Sequence, residues 1–184
     1  MTLLALLLLV RPDPFIADAE WRGEFPLGLR SLHVCSVVGS TEFLARTMPG
    51  VTEIRDLPEG EFLYRTERSM PFAGVVRTDF RIRRDEWTDS SVVFRTPSAE
   101  EANYMILALR FATEPGRGTV LHARLRVRLM RDDGAEIHPF APLLGEAFIS
   151  GQMERDLSQT LRMFAVRISE ALPPGELAGQ EATQ

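Results

Sequence analysis

The hydrophobic period of the chain changes partway along, and that change limits what it can fold into. From Val51 to Met130 apolar and polar residues alternate with a period of two, in six segments: 51–57, 61–70, 72–84, 90–96, 104–113 and 119–130. Turn-forming groups separate them, among them Pro58-Glu59-Gly60, Pro97-Ser98 and Pro115-Gly116-Arg117-Gly118. Period two marks a half-buried strand, and connections this short join antiparallel neighbours. After Pro142 the period becomes helical. Met153, Leu157, Leu161, Phe164, Ile168 and Leu172 recur at three and four residues, while Glu154, Arg155, Ser158, Arg162 and Arg167 fall off that stripe. This spacing predicts one amphipathic helix over 143–172, about 45 Å long, closed by Pro173-Pro174-Gly175.

Parity within the segments assigns faces. Leu121, Ala123, Leu125, Val127 and Leu129 point one way; His122, Arg124, Arg126 and Arg128 point the other. Val76, Thr78, Phe80 and Ile82 oppose Arg77, Asp79, Arg81 and Arg83 in the same manner, so the sheet buries one face and wets the other. Upstream, 19–25 alternates as a further strand, and 29–38 and 42–47 read as short helices, the second capped by Ser40 or Thr41. The expected fold is α+β: a curved antiparallel sheet of about seven strands around one long C-terminal helix, with two short helices after the first strand. An apolar N-terminal extension (1–17) precedes a single domain (18–172), and a small, polar, flexible tail (173–184) follows it.

Composition then excludes functions. A formal charge of -5 and a pI near 5.3 oppose a general nucleic-acid binder. All 21 basic residues are arginines, so no Schiff-base lysine and no phosphate-loop lysine exist. Cys35 is the single cysteine; within Val34-Cys35-Ser36-Val37-Val38 it reads as a small buried apolar side chain. His33, His122 and His138 lack metal-ligand spacing, and neither a nucleophile elbow nor a dinucleotide fingerprint is present. No catalytic residue, metal or cofactor is therefore expected. The outward arginines share their faces with Glu53, Glu67 and Asp79 and read as cross-strand ion pairs. Residues 3–10 form an unbroken apolar run, too short to span a bilayer as a helix. The run lacks the basic start of a secretory leader, although Ala17-Asp18-Ala19 has the form of a cleavage site. An extra strand or short helix is the expected reading, with contact to a membrane or a protein partner as another, and the expected location is the cytoplasm.

The order strand, two short helices, six-strand meander, long helix resembles the START-like, or SRPBCC, helix-grip superfamily. The stretch Thr41-Glu42-Phe43-Leu44-Ala45-Arg46-Thr47-Met48-Pro49-Gly50-Val51 looks like the junction between second helix and second strand in its polyketide-cyclase branch and its carbon-monoxide-dehydrogenase-linked branch. Gly118-Thr119 looks like the turn before their last strand. Where those branches usually carry an aspartate between the short helices, this chain has Gly39-Ser40-Thr41. The resemblance covers about 19–172. It implies a site for a hydrophobic molecule between sheet and long helix.

The helix itself bears on that implication. Gly145, Ala147 and Gly151 are small residues in its first half, which either leave space above the sheet or let helix and sheet close up. With space, the candidate cavity residues are Tyr64, Thr78, Phe80, Tyr104, Leu144, Phe148, Gly151 and Met153, with Glu146 the best-placed acid. Three functions stay open: a non-catalytic binding or carrier module for a lipid-, polyketide- or isoprenoid-like molecule, which leads; a cofactor-independent cyclase or hydratase; and a closed-core assembly protein.

Overall fold

The structure is a computed structural model that describes residues 13–28, 34–70 and 74–172. The apolar run 3–10, His33 and the tail 173–184 lie outside the described residues. Strand β1 (Phe15–Pro26) is followed by α1 (Val34–Val38) and α2 (Thr41–Thr47). The meander then runs β2 (Val51–Asp56), β3 (Glu61–Met70), β4 (Gly74–Trp87), β5 (Ser91–Arg95), β6 (Asn103–Glu114) and β7 (Gly118–Arg131). All seven strands form one antiparallel sheet in the order β1-β7-β6-β5-β4-β3-β2. Each strand of the meander pairs with its chain neighbour, and β1 closes onto β7 from Phe15↔Arg131 to Pro26↔Val120. Register shifts at Val51/Glu53 and Arg84/Glu86 insert bulges, which bend strands and tighten twist.

The short helices form where their caps allow. The Ser40 hydroxyl accepts from the Phe43 amide at 3.2 Å, satisfying a free donor of the first turn of α2. Gly50 follows α2 at φ +79, a left-handed conformation that side chains rarely adopt, and its carbonyl accepts from Glu67 N at 2.8 Å. The long helix is shorter than the periodicity predicts. Gly145, at φ 79 and ψ 164, breaks the chain into α3 (Ala141–Leu144) and α4 (Glu146–Ala171). The apolar spacing carried across the break because it records only which residues are apolar, whereas the break is a backbone conformation open to glycine alone.

The core is closed at one end of α4 only. Leu161, Phe164 and Ile168 of its C-terminal half are fully buried, as are Phe94, Leu107 and Leu121 of the sheet. Val34, Cys35, Val38, Phe43 and Leu44 of α1 and α2 join the same cluster and plug that end. The convex face is covered by charge. Arg126 meets Asp18 at 2.6 Å, Arg124 meets Glu20 at 2.7 Å, and Arg65 bridges Asp79 at 2.7 Å and Glu53 at 2.5 Å. These are the cross-strand pairs expected from parity. Among the described residues no helix is long and apolar enough to cross a membrane.

Candidate ligand cavity

Toward its N-terminus, α4 stands away from the concave face of the sheet and leaves a cavity of about 470 Å³. The deep wall is apolar and buried: Phe80 from β4, Met105 from β6, Leu125 and Leu129 from β7, and Ile149 and Leu157 from α4. The mouth is edged by exposed side chains, Phe140 before α3, Leu144 at its end and Phe148 in the first turn of α4.

Six of the residues expected in the wall are there: Tyr64, Thr78, Phe80, Leu144, Phe148 and Met153. Parity places the first three, since β3 and β4 pair Tyr64↔Phe80 and Thr66↔Thr78 on the concave face. Two are elsewhere. Tyr104 pairs with Arg128 and lies on the convex face, with the Arg128 guanidinium 5.2 Å from its ring centre. Its neighbour Met105 takes the inward position. Gly151 does not line the cavity, and a Cβ built there meets no atom within 4 Å. Ala147 is exposed and Gly145 is the break itself, so the small residues do not make the void. Glu146 is not a cavity acid either. Its Oε1 accepts from the Ile16 amide at 2.6 Å, tying α4 to the edge of β1.

Polar groups of the wall that sequence reasoning missed gather on one side. Arg68 Nη2 donates to Thr160 Oγ1 at 2.8 Å, and that hydroxyl donates to the Asp156 carbonyl at 2.8 Å. Gln152 Nε2 reaches Asp156 Oδ1 at 3.4 Å. Parity with Tyr64 and Thr66 was the available signal for Arg68; helical spacing on the Met153 stripe was the signal for Asp156 and Thr160. Tyr64 is buried, and among the described residues no group hydrogen-bonds its hydroxyl. Burial pushes its ionisation well above the ordinary tyrosine value, with only partial opposition from the Arg68 charge. The hydroxyl therefore faces the cavity as a neutral donor and acceptor. Cys35 is sealed in the core away from the cavity, and burial raises its thiol to about 11. Among the described residues no cluster of His, Cys, Asp and Glu could hold a metal ion.

A seven-stranded antiparallel sheet curved around one long C-terminal helix, with two short helices after the first strand, is a helix-grip fold, and solved structures of two aromatase/cyclases share it. The di-domain aromatase/cyclase StfQ of the steffimycin biosynthetic pathway matches 85% of this chain and 50% of its own, at 16% identity and a TM-score of 0.52. The Zhui aromatase/cyclase from Streptomyces sp. R1128 matches 85% of this chain and 93% of its own, at 14% identity and 0.53. A protein of Thermus thermophilus matches 85% and 99%, at 17% identity and 0.54. This chain thus spans about half the length of StfQ. At such identities the fold is what is shared. No family model matches the sequence, and no curated protein does.

Proposed function

We propose that this chain is a binding or carrier module for a small hydrophobic molecule of lipid-, polyketide- or isoprenoid-like kind, held between α4 and the sheet without being chemically altered. The cavity carries this reading. About 470 Å³ of space against a buried apolar wall is the size and character of a small-molecule pocket. Atoms facing such a void forgo dispersion contacts that an apolar guest restores. The fold likeness to two aromatase/cyclases adds support, since the shared architecture wraps a curved sheet around a long helix. A cofactor-independent cyclase would use the same space and ranks second. Arg68, Thr160 and Asp156 are linked to one another, and Tyr64 is held protonated rather than activated as a base.

The test is direct. Nile red, a neutral apolar dye, should bind the folded protein and brighten. Thr78→Trp, which extends a ring from the β4 wall into the space, should cut that signal several-fold while far-UV circular dichroism and melting temperature hold. Filling a void, unlike overpacking a closed core, costs little. No dye binding to the native protein would sink the proposal. Mass spectrometry of the freshly purified protein under native conditions, followed by extraction, reports any resident guest and whether it is turned over on incubation.

A further inference from the structure

The side of the cavity that holds Arg68 is at odds with the rest of its wall. On β3, Phe62, Tyr64, Thr66 and Arg68 share the concave face, so an arginine projects beside apolar and neutral groups, as Arg131 does at the end of β7. Neighbouring arginines on the convex face have carboxylate partners: Arg65 has Asp79 and Glu53, Arg77 has Glu67, and Arg81 has Glu61. Arg68 has none within salt-bridge distance among the described residues. One of its N–H groups goes to the Thr160 hydroxyl, whose own proton is already committed to the Asp156 carbonyl. A guanidinium carries five donors in a planar fork suited to a carboxylate. A cation turned into an apolar cavity is costly unless something pairs with it.

We infer that Arg68 receives the anionic head of the guest, and that the guest is therefore an amphipathic monocarboxylic acid. This rests on the cavity being a ligand site. Position along the strand supports it. Arg68 lies beside exposed Ser69 toward the open end, and Tyr64 lies about 14 Å further in along the same strand. A head group at Arg68 stays near water while the tail runs along Val76, Phe80 and Met105 to the deep end. Asp156 and Glu136 also line the wall, and their charge disfavours a doubly charged head such as a phosphate monoester.

The experiment displaces Nile red from the wild-type protein with lauric acid and with methyl laurate. It is repeated with Arg68→Gln and, as a control on the other arginine of the wall that lacks a carboxylate partner among the described residues, with Arg131→Gln. A charge-assisted hydrogen bond predicts that the acid competes about 10- to 100-fold better than the ester. Arg68→Gln should abolish that preference by weakening the acid and leaving the ester and the dye unchanged, and Arg131→Gln should keep it. If the dye binds but acid and ester compete equally in the wild type, the inference fails and the hydrophobic site survives. If the preference persists in Arg68→Gln, or falls only in Arg131→Gln, the assignment to Arg68 is wrong. If the dye does not bind the wild type at all, the cavity reading itself fails. The wild-type comparison stands whether or not either variant folds.

Discussion

A side chain added at Gly151 would meet no atom within 4 Å, and the residue lies in the interior of α4. Glycine there gives up backbone entropy on folding and offers no contact in return. Gly151→Ala should therefore raise stability by about 0.5–1 kcal/mol in chemical denaturation. Because Gly151 does not line the cavity, Nile red affinity should stay the same. A loss of dye binding in this variant would mean that the space extends under Gly151. Arg84 shows a different accommodation at the scale of one residue. Burial lowers its affinity for its proton, and its guanidinium lies 3.7 Å from the Trp87 ring centre while Nη2 donates to the Gly39 carbonyl at 3.3 Å. The Glu42 charge opposes that effect from beyond ion-pair distance, and stacking and a backbone acceptor accommodate the guanidinium.

Among the elements, β1 and α4 are tied together across the edge of the sheet. β1 is an edge strand, so half of its backbone donors have no strand to bond. Two of those donors are taken by α4: Ile16 N by Glu146 Oε1 at 2.6 Å and Asp18 N by Ser150 Oγ at 3.1 Å. The helix thereby covers an edge that would otherwise invite pairing with another chain, and it does so with side chains one turn apart on one face. Replacing both, Glu146→Ala with Ser150→Ala, should expose these two amides. Hydrogen exchange should quicken at Ile16 and Asp18 and stay slow at Leu107 and Leu109 in the sheet interior, with a loss of about 1–2 kcal/mol in overall stability. Unchanged protection at Ile16 and Asp18 would show that the β1–β7 ladder alone holds the edge.

For the molecule as a whole, the architecture was legible wherever charge marked a face. On β4 and β7 the arginines fix which side is wet, and the concave positions Thr78, Phe80, Leu125 and Leu129 followed from counting. β6 has no charged residue from Asn103 to Ala112 other than Arg110, so both of its faces read as apolar and Tyr104 was assigned inward. Arg110 shares parity with Tyr104 and was the clue. The void was not legible, because it depends on how far α4 stands off a curved sheet, a tertiary quantity that no local pattern encodes. The same arginine-covered surface sets the last expectation, the response to acid. The Arg124 hydrogen bond, aided by Arg22, holds Glu20 below its usual 4.5, and Arg65 holds Asp79 below its usual 3.8. Burial disfavours the charge of Asp85, but hydrogen bonds from Arg83 and Arg95 outweigh it and lower that group too. A carboxyl whose folded value is depressed contributes stability that is present above its unfolded value and lost as pH falls through the folded one. All the basic side chains but histidine are arginine, so their charge does not change on the acid side. The urea midpoint should therefore be flat from about pH 8 down to about pH 5 and decline below about pH 4.5. Asp85→Asn should lower the plateau and make the acid decline shallower, since its charge no longer has to be maintained. A decline beginning near pH 6.5 would instead implicate a histidine, and a midpoint still flat at about pH 3 would show that these convex-face pairs, partly open to solvent, contribute nothing measurable.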